Sequence, residues 1–388
     1  MRNYLLNDMK ALVIGSGMMG SALAYDLANS TGVEHVILAD IDGERAKAVA
    51  ASIGSTVEPL QLDVNDFGKV VASMKRIDVV CGATSYNHNL ALTKAAINAG
   101  KHFCDLGGNM DVVDAQLALD TQAKKAGVCI LPNCGLAPGL AAILGVGGAK
   151  RFDQPEEIHL RVGGLPKHPQ PPLNYMLVFS VEGLINEYLE PAEVIRNGEV
   201  KLVESMADLE MLEFPPPFGT VEAFNTSGGV STLTRMFKDE IKNLDYKTIR
   251  YRGHCEKFKM LLDLGFASAE PVSVGASVQT ARDIFQELLK KKLPTSGPDL
   301  VLMRVWITGL MKGIRKTLAY QMIDYFDERT NISSMMRTTS FPTSIIAQMI
   351  VNGSISARGV MAPESCVPVN PLIAELKKRN IIIHETIS

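Results

Sequence analysis

A glycine-rich turn near the start of the chain constrains the fold more than any other feature. Residues 10–14 are apolar except for Lys10 and predict a strand, which runs directly into Gly15-Ser16-Gly17-Met18-Met19-Gly20 and then into a helical stretch. A second predicted strand, residues 36–39, ends at Asp40. This order of strand, Gly-x-Gly-x-x-Gly turn, helix, strand and acidic residue is typical of a βαβ unit that binds a dinucleotide. The chain is therefore expected to contain a Rossmann-type α/β domain.

Each part of this motif has a physical role. Gly15 allows the tight turn, Gly17 lets the backbone approach a pyrophosphate, and Gly20 lets the helix pack closely on its strand. A carboxylate at Asp40 accepts both ribose hydroxyls of NAD and repels the 2′-phosphate of NADP, and no basic residue occupies the next four positions. NAD is the expected cofactor. The predicted cofactor-binding residues are Gly15, Ser16, Gly17, Met18, Met19, Gly20, Asp40 and Asp63.

Composition narrows the class of protein without specifying its chemistry. The chain has 388 residues, enough for two or three domains, and a net charge of −3, which gives no electrostatic footprint for nucleic acid or an anionic membrane. Neither partner is expected. Six cysteines without paired C-x-x-C spacing or clustered histidines predict reduced thiols in a cytoplasmic protein with no metal site. The apolar part of residues 1–6 is too short for a signal peptide.

Apolar and amphipathic stretches alternate through the first 131 residues. Further strands are predicted at residues 59–62, 78–82, 102–106 and 128–131, with helices at residues 45–52, 87–99 and 112–126. This alternation predicts a parallel, doubly wound sheet. Residues 126–149 carry no charge and imitate a membrane span, but prolines and glycines divide them into a strand, a loop and a helix. In such a sheet the ligand lies beyond the carboxyl ends of the strands, where residues 83–89, 105–109 and 133–138 are expected.

The pattern changes after about residue 150. Asn197-Gly198 is typical of a two-residue hairpin turn, and residues 300–308 and 318–324 predict another strand pair that turns around Lys312-Gly313. A second domain with a mixed sheet is therefore expected. Two helices are predicted near the C-terminus, at residues 343–351 and 370–380.

Several segments carry a family resemblance. They are Cys104-Asp105-Leu106-Gly107-Gly108-Asn109, residues 135–139, 162–166 and 179–184, and the more distinctive residues 222–229 and 246–254. With them the chain resembles the saccharopine dehydrogenase superfamily, and within it most closely the L-lysine 6-dehydrogenases. The resemblance implies a homodimer in which a discontinuous NAD-binding domain, residues 1–140 plus 335–388, carries an inserted α/β domain for substrate binding and dimerisation, residues 141–334.

The resemblance also implies a reaction, namely NAD-dependent oxidative deamination of the ε-amino group of L-lysine. Such a site needs a cation for the substrate carboxylate, a role that suits the planar guanidinium of arginine. Arg250 and Arg252 are predicted to share one face of a strand and to form this clamp, although ion pairing with surface acids is the alternative. Further substrate-binding candidates are Arg235, Tyr175 and Thr226.

The candidates for proton transfer are Asp105, Tyr86 and His254. Asp105 ends a predicted strand, where partial burial would raise its pKa, although it could instead cap the following glycine turn. Tyr86 lies in the loop expected to pass the nicotinamide, and His254 has a near-neutral intrinsic pKa but could be structural. Cys134 lacks an evident base in the sequence beside it and is expected to be a buried, inert thiol.

Two other functions remain open. A saccharopine reductase or opine-type dehydrogenase would use the same fold and a larger substrate that needs a second cationic pocket. A non-catalytic nucleotide-sensing protein on the same fold is the alternative of another class, because fold alone does not give function.

Overall fold

A computed structural model of the chain describes residues 9–275 and 277–388. Residues 1–6, considered above as a signal peptide, lie outside this range. Strands and helices alternate first: β1 (Met9–Ile14), α1 (Met18–Ala28), β2 (Val33–Asp40), α2 (Gly43–Ile53), β3 (Val57–Gln61), α3 (Phe67–Met74), β4 (Val79–Gly82), a 3₁₀ turn (Tyr86–His88), α4 (Asn89–Ala99), β5 (His102–Asp105), α5 (Met110–Leu117), α6 (Asp120–Ala126), β6 (Cys129–Leu131) and α7 (Leu140–Ala149).

The chain continues with longer strands and fewer helices. They are β7 (Gln154–Pro166), α8 (Val181–Leu189), β8 (Ala192–Arg196), β9 (Glu199–Val203), β10 (Glu210–Phe214), β11 (Gly219–Asn225), α9 (Leu233–Phe237), β12 (Asn243–Arg250), α10 (His254–Asp263), β13 (Pro271–Val274), β14 (Ser277–Thr280), α11 (Ala281–Lys292), β15 (Asp299–Met311) and β16 (Ile314–Tyr325). The last elements are α12 (Ser334–Val351), β17 (Gly359–Val360), α13 (Pro363–Cys366), α14 (Val369–Lys378) and β18 (Ile383–Ile387).

The first sheet has the strand order β17-β6-β5-β4-β1-β2-β3, and its pairs are parallel. The prediction of a doubly wound parallel sheet is confirmed. Its inner strands β1, β4 and β5 are buried along almost their whole length, as in other parallel sheets covered by helices, whereas the edge strand β3 is largely exposed. The core between strands and helices includes Leu12, Ile14, Val80, Phe103 and Ile130.

The C-terminal part of the chain completes this first sheet. Gly359 and Val360 pair in parallel with Cys129 and Ile130, and Ser340 Oγ donates a 2.8 Å hydrogen bond to the carbonyl of Met19. The helix predicted over residues 343–351 begins earlier, at Ser334, and passes through Pro342. The proline removes one backbone hydrogen bond, but burial of this helix outweighs that loss.

The second sheet is mixed, in agreement with the sequence. Its order is β10-β11-β12-β7-β15-β16-β18, with β8 and β9 attached beside β12, and only the pair of β12 and β7 among the pairs with a described register is parallel. Both predicted hairpin turns are present. Asn197 and Gly198 have φ of 54° and 86°, and Lys312 and Gly313 have φ of 53° and 75°. Positive φ at both central residues is the geometry of a type I′ turn.

The chain divides into two compact units. The first comprises the residues up to Lys150 together with Met336–Ile383, and the second comprises Arg151–Met335 together with His384–Ser388. Helix α7, which the predicted boundary at residue 140 assigned to the second domain, lies in the first unit. Within the described residues, no helix combines the length and the apolar character needed to cross a membrane.

Candidate functional site

The glycine-rich loop between β1 and α1 has a close-packed side and an open side. Gly15 adopts φ +105°, and a Cβ there would lie 2.5 Å from the carbonyl oxygen of Ala83. A Cβ on Gly20 would lie 1.7 Å from the carbonyl oxygen of Gly15. A Cβ on Gly17, in contrast, would meet no atom within 4 Å. The loop is thus tight against the sheet and open at Gly17, where a pyrophosphate would approach the helix N-terminus.

Asp40, at the end of β2, is 6% exposed and holds the loop through its carboxylate. Its Oδ2 accepts hydrogen bonds from Ser16 N at 2.6 Å and Ser16 Oγ at 2.8 Å, and its Oδ1 accepts from Asp42 N at 2.9 Å and Arg45 Nη2 at 2.7 Å. Burial opposes ionisation, but these hydrogen bonds outweigh it and lower the pKa of Asp40 to about 2. The carboxylate is therefore ionised at any physiological pH.

A cleft of about 320 Å³ opens beside this loop and is lined by Gly17, Asp40, Ile41, Arg45, Asp63 and His88, among others. Asp63 is exposed here, and its Oδ1 accepts a 2.9 Å hydrogen bond from Asn65 N. Met18 is half-exposed on α1. Sequence reasoning missed Arg45, because it considered only the four positions after Asp40. The first turn of α2 brings the fifth position back to the carboxylate.

Asp105 ends β5 and is completely buried. Its Oδ1 accepts from Gly107 N at 2.8 Å and Asn133 N at 3.3 Å, and its Oδ2 accepts from Gln116 Nε2 at 2.7 Å. Burial raises the pKa of Asp105 to about 6 despite these hydrogen bonds. The carboxyl group fixes the turn that follows the strand. Asp105 thus has the capping contacts that the sequence offered as the alternative to a proton-transfer role.

Tyr86 lies near this turn and is half-buried. A Cβ on Gly108 would lie 3.1 Å from the Cβ and Cδ1 of Tyr86, so the tyrosine packs directly against the glycine backbone. Cys134 is buried, its Sγ donates a 3.3 Å hydrogen bond to the carbonyl of Leu131, and burial raises its pKa to about 11. The first unit therefore brings Tyr86, Asp105 and Cys134 to the carboxyl ends of adjacent strands.

Arg250, the last residue of β12, is 3% exposed and lies among aromatic side chains. Its Nε donates a 2.8 Å hydrogen bond to Tyr188 Oη and its Nη1 donates to the carbonyl of Ile249 at 2.9 Å. The Arg250 guanidinium carbon also lies 4.8 Å from the centre of the Tyr175 ring. Among the described residues, no carboxylate forms an ion pair with Arg250. The guanidinium therefore keeps donors that the described part of the fold does not use.

His254, at the start of α10, belongs to the same cluster. Its Nδ1 lies 2.9 Å from the carbonyl oxygen of Leu173, so Nδ1 is the donor and the neutral Nε2 accepts from Tyr188 Oη at 3.1 Å. Burial and the nearby charge of Arg250 lower the pKa of His254 to about 3. A directed chain of hydrogen bonds thus runs from Arg250 through Tyr188 to His254, and it orients the guanidinium. Both ring nitrogens of His254 are used in this chain.

The other predicted substrate residues are placed differently. Thr226 is buried and its Oγ1 lies 2.7 Å from Thr248 Oγ1. Arg235 lies exposed on α9. The prediction that Arg250 and Arg252 share a strand face is wrong, because β12 ends at Arg250 and Arg252 lies exposed in the following turn. Gly253 has φ +82°, which turns the chain into α10.

A second buried charge cluster in the same unit was not predicted. Arg161 pairs with Glu210 and with Asp245, whose Oδ1 lies 2.7 Å from Arg161 Nη1. Lys247 pairs with Glu210 at 3.1 Å. The pKa of Asp245 is held well below its usual range, because its contacts with His159 and Arg161 outweigh the effect of burial. In contrast to Arg250, these cations have acid partners. No grouping of three or more His, Cys, Asp or Glu residues suited to a metal ion occurs in the described part of the chain.

Comparisons with known proteins agree with this architecture. Residues 135–382 match the saccharopine dehydrogenase C-terminal domain and residues 11–131 match the saccharopine dehydrogenase NADP binding domain. Saccharopine dehydrogenase [NADP(+), L-glutamate-forming] of Pyricularia oryzae is 24% identical over 95% of this chain and 96% of its own. Bovine alpha-aminoadipic semialdehyde synthase is 21% identical over 96% of this chain and 47% of its own.

Among solved structures, apo saccharopine dehydrogenase (L-Glu forming) from Saccharomyces cerevisiae superimposes with a TM-score of 0.80. The two chains are 21% identical, and the match covers 98% of this chain and 100% of the yeast chain. This likeness concerns the fold. The two domain matches together span most of the chain and include both the glycine-rich loop and Arg250. The chain therefore belongs to the saccharopine dehydrogenase family of oxidoreductases, with a nucleotide-binding domain at its N-terminal side.

Proposed function

We propose that this protein is an NAD-dependent L-lysine 6-dehydrogenase. A hydride passes from the ε-carbon of lysine to the nicotinamide, and the ε-amine loses a proton to give an iminium ion. Water then adds to the iminium and ammonia leaves. The resulting 6-semialdehyde cyclises with its own α-amino group, losing water. The proposal includes a homodimer in the cytoplasm, as the family resemblance implies.

Arg250 is the observation that carries this proposal. Removing an ion from water costs several kcal/mol even after the protein relaxes, so a buried guanidinium is expected to meet an anion. The described residues supply no carboxylate in ion-pair contact with Arg250, and its remaining donors suit a planar carboxylate. A substrate carboxylate would supply the missing charge.

The choice of lysine over saccharopine rests on the other buried cations. Saccharopine carries further carboxylates in its glutaryl part and would need additional cations. Arg161 and Lys247, the other buried arginine and lysine among the described residues of the second unit, already pair with Asp245 and Glu210. A substrate with one carboxylate fits this distribution of charge.

The choice of NAD rests on Asp40. Its carboxylate lines the cleft and stays ionised, with a pKa of about 2, so its charge opposes a 2′-phosphate. Ribose hydroxyls would replace the Ser16 and Arg45 side-chain donors from which it now accepts. The residues proposed to contact NAD are residues 15–20 of the glycine-rich loop and Asp63, which also lines the cleft. The cofactor would accept the hydride.

For proton transfer we favour Tyr86 over Asp105 and His254. Both carboxyl oxygens of Asp105 and both ring nitrogens of His254 are occupied by hydrogen bonds within the fold. Tyr86 is half-buried and packs on the turn that Asp105 fixes. Asp105 and His254 would then act as positioning residues, for the Gly107–Gly108 turn and for Arg250.

The test is the reaction of purified protein with NAD and a set of amines, followed by the absorbance of the reduced nicotinamide. L-Lysine is expected to give NADH and ammonia. Ornithine is one methylene shorter and D-lysine has the opposite configuration, and since misplacement of about 1 Å can cost ~10²-fold in rate, both are expected to react far more slowly.

Saccharopine dehydrogenase activity is the second candidate, because curated relatives carry that name and use NADP(+). Release of glutamate from saccharopine, with no reaction of lysine, would establish it. Binding of NAD without turnover of any amine would instead indicate a nucleotide sensor.

A further inference from the structure

Glu187, near the end of α8, is an acid without a side-chain partner among the described residues. Its side chain is half-buried, and its carboxyl group forms no hydrogen bond or ion pair with the described residues. Burial raises the pKa of Glu187 to about 7, although the charge of Arg250 acts in the opposite direction. An acid in this setting is costly to ionise unless a cation joins it.

Glu187 lies in the cluster around Arg250. Its backbone carbonyl accepts a 3.1 Å hydrogen bond from Ser227 N, and the next residue, Tyr188, accepts the hydrogen bond from Arg250 Nε. These contacts hold Glu187 beside the end of β12, and the charge of Arg250 accordingly acts on the pKa of Glu187. Arg250 and Glu187 nevertheless do not approach within the 4.0 Å of an ion pair. The guanidinium of Arg250 and the carboxyl group of Glu187 therefore belong to one cluster without forming an ion pair.

Tyr175 provides a second, independent observation. The tyrosine is 1% exposed, and its buried hydroxyl has no hydrogen-bond partner among the described residues. Its ring lies 4.8 Å from the Arg250 guanidinium. Buried hydroxyl groups are normally hydrogen-bonded, because an unsatisfied one costs about 1–3 kcal/mol. A buried hydroxyl without a partner, beside a guanidinium without an acid partner among the described residues, indicates a polar ligand.

We propose that Glu187 binds the α-ammonium group of the substrate, while Arg250 binds the α-carboxylate and Tyr175 Oη hydrogen-bonds to the same zwitterion. This assignment rests on the proposed function and deepens it, since it names the residues that read the amino-acid end of lysine. Ammonium, carboxylate and side chain held at separate points also select the L configuration.

The test compares L-lysine with 6-aminohexanoate, which keeps the carboxylate and the ε-amine but lacks the α-amino group. Dissociation constants by calorimetry and KM and kcat from NADH formation are measured for wild type, Glu187→Gln and a control, Glu182→Gln, on the exposed part of the same helix. A charged hydrogen bond is worth enough that Glu187→Gln should weaken lysine binding roughly 10- to 100-fold. Its binding of 6-aminohexanoate should match wild type, which also establishes that the variant is folded.

Each outcome decides a separate point. Unchanged lysine affinity in Glu187→Gln, or an equal loss for lysine and 6-aminohexanoate, overturns the role of Glu187. If wild type binds lysine without forming NADH, the proposed function is wrong, but the comparison of lysine and 6-aminohexanoate binding still tests the role of Glu187. If wild type does not bind lysine at all, both proposals are wrong.

Discussion

Arg45 Nη2 donates a 2.7 Å hydrogen bond to Asp40 Oδ1, and this pair lines the cleft beside the glycine-rich loop. Asp40 is buried and ionised, whereas the Arg45 side chain is half-exposed. The carboxylate therefore opposes a phosphate, while the guanidinium next to it would attract one. The preference between NAD and NADP is expected to depend on which of the two charges faces the ribose.

Replacing Asp40 with Ser should reverse this preference. The substitution removes the group that accepts the ribose hydroxyls and frees Arg45, so kcat/KM should fall roughly 10-fold or more with NAD and rise with NADP, as expected for loss of a charged hydrogen bond. Adding Arg at Ile41 should strengthen the effect. Steady-state kinetics with both cofactors measure it. A wild-type preference for NADP would show that Asp40 does not bind the ribose.

The glycines of the loop separate cofactor binding from stability. Gly17→Ala adds a methyl group in open space at a residue with φ −69°, so the fold should tolerate it while NAD binding weakens roughly 10-fold or more. Gly20→Ala would place a Cβ 1.7 Å from the carbonyl oxygen of Gly15 and should lower the melting temperature. Thermal unfolding and NAD titration of both variants provide the comparison. Equal melting temperatures would contradict it.

Arg250→Lys keeps the positive charge but loses the planar fork. Binding of the substrate carboxylate should weaken roughly 10- to 100-fold, because a bidentate contact becomes a single one, whereas NAD affinity should stay unchanged. Arg252→Lys is the matched control, since that side chain is exposed in the turn after β12. The KM for lysine and the Kd for NAD are the two measurements. An unchanged KM in Arg250→Lys would move the carboxylate site elsewhere.

Tyr86 and Asp105 can be separated by their variants. Tyr86→Phe removes a hydroxyl that no described fold contact requires, so kcat should fall roughly 10²-fold if that hydroxyl transfers the proton. Asp105→Asn retains an oxygen that can accept from Gly107 N, and it should alter KM and kcat less than Tyr86→Phe does. The pH dependence of kcat for both variants is decisive. A larger loss of kcat in Asp105→Asn would assign the proton transfer to Asp105.

Asp105 should also make the free energy of unfolding depend on pH. Its pKa rises from an ordinary value near 3.8 to about 6 in the fold, so the folded state holds the proton more tightly than the unfolded chain does. Its contribution to the free energy of unfolding is full below pH ~4 and falls by about 3 kcal/mol as the pH rises through 6. Asp105→Asn should remove this slope. Urea midpoints of both proteins between pH 4 and 7 measure the difference, and parallel curves would contradict it.

The strands and turns that were predicted correctly are those with strong local sequence signals, which tertiary contacts do not override. The motif from Gly15 to Asp40 defined β1, the turn and β2, and the Asn197-Gly198 and Lys312-Gly313 turns located two hairpins, because their backbone requires residues that adopt positive φ. The helix predicted over residues 112–126 is divided into α5 and α6. Helical periodicity alone does not reveal that break.

The candidate site was harder to predict, because its charges come from separate elements. Arg250 was identified from the sequence, but Glu187 on α8 was not. Nothing in the order of residues places Glu187 in the electrostatic surroundings of a guanidinium at the end of β12. The hydrogen bonds of Asp105 and His254 could not be predicted from the sequence either. Their partners, Gln116 and Tyr188, lie on other helices.

The parallel pairing of β17 with β6 has a consequence for how the protein is made. The strand Gly359–Val360 leaves the ribosome only after residues 151–335 of the second unit, whose synthesis at about 5–20 residues per second takes roughly 10 to 40 s. During that interval the β6 edge of the nascent sheet has free backbone hydrogen-bonding groups, the kind of edge that recruits strands from other chains. A chain whose synthesis terminates before residue 359 would therefore have a first sheet that is open to aggregation.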